Sequence, residues 1–417
     1  PKPLSLKRLS AKTSFSMSAQ PLTILCLAGD VKGQRFMQEC KNQGCRVFVL
    51  TRHSLQDDPG WERQHVDEFF YMPTLTKKDD VIKAVSYLAR TERIDRIVPM
   101  DDFDVDVAAS LREHLRAPGM GDTTARYFRD KLAMRLATEE NGIRCPAFSQ
   151  ILNYDRLREY MEKMPPPWLL KPRSQAGSAG IKKFWNSEDL WRKLDELGDE
   201  QSFYLLESFV PGDIFHVDAI TSEGKVLFVE ASKYGRPPLE VTQQGGIFMT
   251  RTLSRTSDDA IELFRLNEKV LKTLNFRSGV THTEFIKSHA DGEFYFLETA
   301  ARVGGAYISD VIDVATGINL WAEWAKLEIA AGQHPYKLPA CREGYAGIVL
   351  CLANQPEPDT SSYNDPEIVT RIKKEYPAGL IFSSPDAGRV DSLMWKYAER
   401  FIQEFLASAP QYEKIER

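Results

Sequence analysis

The run Gly279-Val-Thr-His-Thr-Glu-Phe-Ile-Lys287, followed by Glu293-Phe-Tyr-Phe-Leu-Glu-Thr-Ala-Ala-Arg-Val-Gly-Gly305, constrains this chain more than any other segment. β-Branched and aromatic residues on both sides of Asp291-Gly292 predict two strands joined as a hairpin, with Glu284 and Glu298 on neighbouring strands. Side chains alternate along a strand, so the register decides whether the two acids share a face. A two-residue Asp291-Gly292 turn pairs Glu284 with Thr299 and sets the acids on opposite faces, whereas a three- or five-residue loop pairs Glu284 with Glu298. The odd-length loop is the expected one, with His282, Glu284, Phe296 and Glu298 on one face. Two like charges about 4 Å apart at an effective dielectric near 20 repel by roughly 4 kcal/mol. A hard divalent ion such as Mg²⁺ turns that repulsion into binding. A plain hairpin with both acids in water is the alternative reading of this segment alone.

Composition narrows the classes. A chain of 417 residues, 42% hydrophobic and 27% charged, is long enough for two or three packed domains and is not disordered. A formal net charge of -5 argues against a nucleic-acid surface spread over the whole protein. No apolar run reaches the length of a membrane span, so neither nucleic acid nor membrane is expected as a partner. Six cysteines without a Cys-x-x-Cys pair or a nearby histidine give neither a zinc site nor a disulfide framework, which fits a reducing, cytoplasmic location. Residues 1–20 carry Lys2, Lys7, Arg8 and Lys12, five serines and no acid. They are read as a disordered tail, with Met17 as a candidate start and an organelle-targeting segment as the alternative.

From Leu22 the pattern is strand (Thr23 to Leu27), helix to about Gly44, strand (Arg46 to Leu50), helix from about Asp80, strand (Arg96 to Pro99) and helix (Val105 to Leu115). Residues 21–118 therefore read as a doubly wound parallel α/β domain, ending at Pro118-Gly119. Gly29 and Gly33 do not complete a dinucleotide fingerprint, so no nicotinamide cofactor is expected. Any ligand should lie at the carboxyl ends of these strands, near Gly29-Asp30 and Asp101-Asp102. A helix from about Thr123 carries Lys131 and stops at Asn141-Gly142. Then come a strand ending in Lys171-Pro172, the glycine-rich loop Arg173 to Gly180, a second strand, a helix capped by Ser187, and the strand Gln201 to Val210. The third region holds a hairpin turning at Ser222 to Lys225, a loop from Tyr234 to Gly246, a helix from about Asp258 to Leu274, and the acidic hairpin. One or two helices from Ser309 to Ala331 follow, and residues 336–417 read as a C-terminal cap.

Backbone N–H groups of the Arg173 to Gly180 loop, with Ser174, Gly177, Ser178 and Gly180, form a cradle suited to phosphate oxygens. No Gly-Lys-Ser/Thr closes the loop, so it reads as a mobile lid, and a plain flexible hairpin is as good a reading of the loop alone. Lys171 is placed to reach a phosphate as a point charge. Glu207, with Phe209 and Val210 after it, suits a hinge that accepts from an adenine amino group and packs its ring. His216 and His282 are read as hydrogen-bonded residues rather than catalysts. Arg302, with the amides of Gly304 and Gly305, could stabilise an anionic transition state; an ion pair with Asp310 or Asp313 is the alternative. Arg236 is either a contact for a substrate carboxylate or surface charge.

In order, Lys131, Lys171 with its lid, the Glu207 hinge, Glu284, Glu298 and Arg302 resemble the ATP-grasp superfamily. Asp130-Lys131, Leu206-Glu-Ser-Phe-Val-Pro-Gly212 and Glu298-Thr-Ala-Ala-Arg-Val-Gly-Gly305 are most similar to its carboxylate-amine and L-amino-acid ligase branch. The resemblance implies a mixed α+β, two-lobed grasp domain over 119–335, its lid lobe at about 145–210. It also implies ATP with Lys131 and Lys171 on its phosphates, Glu207 and the Phe209 backbone on adenine, Asp213 at the ribose, and Mg²⁺ or Mn²⁺ on Glu284 and Glu298. The implied reaction joins a small carboxylate to an amine through an acylphosphate, releasing ADP and phosphate, and a homodimer is a frequent assembly. One departure stands out: Ala300 occupies the position of the family's usual Asn, so a second metal ion lacks a ligand. A non-catalytic Mg·ATP-binding module and a biotin-carboxylase-like enzyme are the alternatives.

Overall fold

The computed structural model describes residues 21–332 and 334–407; the expectations for residues 1–20, Met17 among them, lie outside these. The chain opens with β1 (Thr23–Ala28), α1 (Gln34–Asn42), β2 (Arg46–Arg52), β3 (Glu68–Met72), α2 (Lys78–Leu88), β4 (Arg96–Pro99) and α3 (Val105–Leu115). The four strands form a parallel sheet in the order β3-β2-β1-β4. β1 is apolar on both faces because helices cover both. Ile24 and Cys26 pack toward α1, and Leu25 and Leu27 toward α2 and α3. β3 escaped the sequence reading because it is an edge strand of half-buried residues without clear alternation. The core over α1 continues into the rest of the protein through Ile220, Val280 and Trp324. Phe36 meets Trp324 edge to face at 5.6 Å.

α4 (Asp122–Ala125) and α5 (Lys131–Glu140) replace the single helix expected from Thr123. The first runs into a 3₁₀ turn at Arg126–Phe128, and Asp130 caps the second, accepting from the N–H groups of Leu132 and Ala133. Gly142, at φ 63°, stops α5 as expected. A small antiparallel lobe follows: β5 (Phe148–Gln150), α6 (Tyr154–Lys163), β6 (Trp168–Pro172), β7 (Lys182–Phe184), α7 (Ser187–Leu197) and β8 (Tyr204–Ser208), in the sheet order β5-β8-β6-β7. α7 is capped by Asn186, one residue before the expected Ser187. The strand expected from Gln201 begins at Tyr204, after a 3₁₀ turn. Trp168, Leu170 and Leu206 pack under α6 and α7, which leaves Leu169, Lys171 and Glu207 for the opposite face.

The remaining strands build one eight-stranded sheet, β13-β12-β9-β10-β11-β14-β16-β15. In chain order these elements are β9 (Gly212–Ser222), β10 (Lys225–Tyr234), α8 (Pro238–Gln244), β11 (Phe248–Thr252), α9 (Asp258–Thr273), β12 (Gly279–Ser288) and β13 (Phe294–Ala300). Then follow α10 (Ile308–Thr316), α11 (Leu320–Ala330), β14 (Tyr345–Leu352), β15 (Ile368–Lys373), β16 (Pro377–Ser384) and α12 (Ala387–Glu404). The stretch read as a cap thus contributes three strands to this sheet. α8 lies inside the segment read as a loop. One face of β9 and β12, with Phe215, Val217 and Phe285, packs on α9; the alternate residues His216, Asp218, His282 and Glu284 point the other way.

The acidic hairpin has the expected pairing by a different route. Glu284 is opposite Glu298, but Phe285 is opposite Phe296, so Leu297 is an extra residue in β13. The loop is even in length, closed by Ser288 N–H to Glu293 C=O at 2.9 Å and Gly292 N–H to Ser288 C=O at 2.9 Å. The β-bulge at Leu297 restores the pairing that an odd loop would have given. It also corrects the face assignment. Phe296 is buried with Phe285 in the α9 core, while Leu297 and Glu298 both face the other way.

Candidate active site

Two adjoining cavities lie along that polar face. The larger, 360 Å³, has Lys171, Glu207 and Phe209 of the small lobe on one side and Glu284, Leu297 and Glu298 on the other. The second, 240 Å³, shares Lys131, Glu284 and Glu298 and reaches Asp102, Arg129 and Arg302. All the expected phosphate and metal residues therefore converge, apart from Ser174 and Gly180, which line neither cavity.

The paired acids are held differently. Glu284 Oε1 accepts from the Tyr234 hydroxyl at 2.9 Å and stands 3.6 Å from His282 Nε2. Glu298 Oε2 meets the Lys131 ammonium at 2.9 Å. Behind Glu284 runs a buried chain in which Asp218 bridges His282 Nδ1 at 2.9 Å and His216 Nδ1 at 2.7 Å. His216 Nε2 reaches the Thr250 hydroxyl at 2.7 Å. Burial alone would lower the pKa of His282, but Asp218 outweighs it and raises the imidazole to about 9. Burial likewise pushes Glu284 up, and His282, with the Tyr234 hydroxyl and His216, more than reverses this, holding it below its ordinary value. Glu284 is thus an oriented carboxylate, ionised at neutral pH.

Among the described residues, His216, Asp218 and His282 bring three ligand-type atoms within 4.8 Å of one another. Their facing atoms are spent on mutual hydrogen bonds, so that cluster does not fit a metal. Glu284 and Glu298 do fit one. They are hard oxygen donors from adjacent strands, they border both cavities, and a cation already sits on Glu298 in the form of Lys131.

Lys131 is the first residue of α5, and its ammonium also donates to Gln175 C=O at 2.7 Å. Lys171 and Glu207 are diagonal neighbours on β6 and β8, and the ammonium bonds Glu207 Oε1. Arg135, one turn after Lys131, donates to the other oxygen of Glu207 from Nε at 2.9 Å and Nη2 at 2.7 Å. Burial would raise the Glu207 pKa, but Arg135 and Lys171 hold it below its ordinary value. The carboxylate expected to meet adenine is therefore engaged by two cations. The Phe209 N–H, also expected there, donates to Pro167 C=O at 3.0 Å, whereas Val210 lines the larger cavity. Asp213 borders it too, paired with Lys233 at 2.7 Å.

The glycine-rich loop bends through three residues at positive φ, Gly177 at 62°, Ser178 at 61° and Gly180 at 70°. Its base is tied down: Arg173 pairs with Asp130, and Arg129 Nη2 donates to Ser174 C=O at 2.6 Å. On the far side, Arg302 pairs with neither Asp310 nor Asp313. Its Nε donates to Asp102 Oδ2 at 2.8 Å, which joins the site to the carboxyl end of the parallel sheet where a ligand was expected. Gly305 borders the smaller cavity. Gly304 packs instead on the network, since a Cβ there would come within 3.0 Å of both Asp218 and His282. Ala300 lines the smaller cavity opposite His282 and offers no ligand atom. Arg236 is exposed and borders neither cavity.

Residues 164–310 match the family model for the ATP-grasp domain. The chain contains an ATP-grasp domain. It is 29% identical over 296 residues to an L-arginine-specific L-amino acid ligase of Bacillus subtilis, covering 69% of this chain and 70% of that one. To an alanine–anticapsin ligase of Bacillus subtilis it is 23% identical over 268 residues, 58% of this chain and 56% of that one. The solved L-amino acid ligase of Bacillus licheniformis superposes with a TM-score of 0.75 at 15% identity, covering 93% of this chain and 99% of that one. The likeness of fold thus extends through the N-terminal sheet and the C-terminal strands.

Sequence reasoning missed four residues of this cleft. Tyr234 was placed in a loop, and Asp102 was named only as part of a strand end. Arg129 and Arg135 went unremarked, although Arg135 at i+4 from Lys131 shares its helix face, which was the one available signal.

Proposed function

We propose that the protein is an ATP-dependent ligase that joins the carboxylate of an amino acid to an amine through an acylphosphate. The observation that carries this reading is the Glu284–Glu298 pair, flanked by Lys131 and Lys171 on one side and Arg302 on the other, around adjoining cavities. The relatives with amino acid ligase in their names support the substrate class.

In this reading ATP lies in the larger cavity with its ring toward Val210 and its phosphates toward Lys131 and Lys171. Glu284 and Glu298 would hold Mg²⁺ or Mn²⁺, which supplies neutralising charge to the phosphate oxygens when bound. A phosphate oxygen would replace Gln175 C=O and Glu298 as partner of Lys131. The substrate carboxylate occupies the smaller cavity near Arg302. Its oxygen attacks the γ-phosphorus as the bond to ADP breaks. An amine then attacks the acyl carbon, phosphate leaves, and the amine loses a proton. Arg302 and the Gly305 amide would stabilise the charge that develops on the acyl oxygen and the leaving phosphate. The Arg173 to Gly180 loop would cover the acylphosphate and exclude water.

The test is a screen of amino acids against amines with ADP release as readout. ADP and phosphate are expected only when carboxylate and amine are both present. Release of AMP and pyrophosphate would overturn the acylphosphate route. Ala300 favours one alternative, a Mg·ATP-binding module. That alternative would hold if Mg·ATP binds in a calorimetric titration and no carboxylate is turned over.

A further inference from the structure

A separate cavity of 370 Å³ lies outside the cleft, where β4, the end of α3, the turn at 118–121, the turn into β12 and α11 meet. Its lining includes three arginines, Arg96, Arg112 and Arg277, and a single acid, Glu328. Arg112 is only 6% exposed. Its Nε donates to Ile97 C=O at 2.9 Å and its Nη1 to Met120 C=O at 3.2 Å. Arg96 spends its donors on the carbonyls of Asp95, Glu328 and Ala331. Among the described residues none of the three forms an ion pair, and Glu328 Oε1 is taken by the Trp324 indole N–H at 3.0 Å.

Carbonyl oxygens satisfy the N–H groups of a guanidinium but do not neutralise its charge, and buried charges are ordinarily paired. Burial works against the charge on Arg112, and Glu328 offsets this only in part. Gly119, at φ 128°, lets the turn close over that side chain, because a Cβ there would come within 2.7 Å of Arg112 Nε. The rest of the wall is apolar, with Pro99, Phe276, Val280 and Trp324. The volume falls within the range of small-molecule sites, roughly 300–1,000 Å³.

We propose that this cavity binds a small organic anion with an apolar body, its carboxylate or phosphate held by Arg112 and Arg277 and its body against Phe276, Val280 and Trp324. The occupant would sit beside Ala301, which precedes Arg302, and beside Pro99, on the strand that leads to Asp102. It therefore contacts backbone on both sides of the Arg302–Asp102 pair. In that respect, and only there, the proposal rests on the ligase reading.

The experiment is calorimetric titration of phenyl phosphate, benzoate and inorganic phosphate into the full chain and into Arg112→Gln, Arg277→Gln and Lys171→Met. At least one aromatic anion is expected to bind more tightly than inorganic phosphate, and which one binds separates a phosphate from a carboxylate ligand. Its affinity should fall tenfold or more in Arg112→Gln and Arg277→Gln and stay unchanged in Lys171→Met. Arg277 is exposed, so its replacement leaves a folded protein even where Arg112→Gln does not. Absence of binding, indifference to Arg277→Gln, or loss in Lys171→Met, which would put the anion in the nucleotide cleft, each overturns the proposal. With both ligase substrates supplied, saturating anion should shift the carboxylate KM at least twofold, and unchanged kinetics would sever the link to Arg302.

Discussion

Replacing Arg135 by Met should destabilise the protein and loosen the acidic pair at once, because this side chain joins the small lobe to the bulge. Arg135 and Glu207 are each 1% exposed, with two hydrogen bonds between them, and a third donor of Arg135 reaches Leu297 C=O. Removing one partner of a buried ion pair costs about 3–5 kcal/mol. Lys171 still compensates Glu207, so the lower end, about 3 kcal/mol, is expected for Arg135→Met. Glu207→Gln strands two cations and should cost about as much. In the double variant the Arg135–Glu207 contacts are lost once rather than twice and only Lys171 stays unpaired, so its loss should fall short of the sum by about 2 kcal/mol. Urea unfolding of the four proteins followed by circular dichroism measures this coupling. Freed from Arg135, Leu297 can return to the ladder, which pairs Glu284 with Leu297 and turns Glu298 aside. Mg·ATP affinity should then drop at least tenfold, or about 1.4 kcal/mol. Additive losses within about 0.5 kcal/mol, together with unchanged Mg·ATP binding, would refute the linkage.

Three further outcomes are expected. Arg302→Met should lower turnover about 10²- to 10³-fold with little change in Mg·ATP affinity; steady-state ADP release and calorimetry separate the two effects, and undiminished turnover would remove Arg302 from the chemistry. Ala300→Asn adds an oxygen donor beside Glu298, so the Mg²⁺ concentration for half-maximal ADP release should fall; an unchanged value would mean that position 300 does not address the metal. Asp104 is buried and receives the Gly29 N–H; burial raises its pKa from 3.8 to about 7, that hydrogen bond opposing. A raised pKa in the folded state means that stability is highest below about pH 4, where Asp104 is neutral in both states, and falls as pH rises toward 7, with a slope on the order of 1.4 kcal/mol for each step of one in pH. Asp104→Asn should flatten that slope in urea midpoints taken between pH 4 and 8, and parallel profiles would refute the assignment.

Why some features were legible and others were not follows from how far apart in sequence their determinants lie. β1, β2 and β4 are short apolar runs bounded by turn residues, so the parallel sheet could be read locally. β3 and β5 lack that contrast because they are half buried. The pairing of Glu284 with Glu298 was reached from a wrong loop length. A bulge leaves no mark in composition, and only the packing of Phe296 against Phe285, with Arg135 on Leu297 C=O, fixes it. The charged residues of the cleft stood out because apolar strands surround them. Their partners did not, since Asp102 is 200 positions from Arg302 and Glu207 is 72 from Arg135. The C-terminal strands were assigned to a cap because nothing in 345–384 shows that β14 pairs with β11.

The central claim, that Glu284 and Glu298 together hold the divalent ion at the triphosphate, is tested most directly by anomalous diffraction from crystals grown with Mn²⁺ and ADP. The expected result is a manganese peak within about 2.5 Å of an oxygen from each glutamate, with the nucleotide phosphates beside Lys131 and Lys171. Bound ADP with the metal on one acid alone, or a peak at His216, Asp218 and His282, would contradict it.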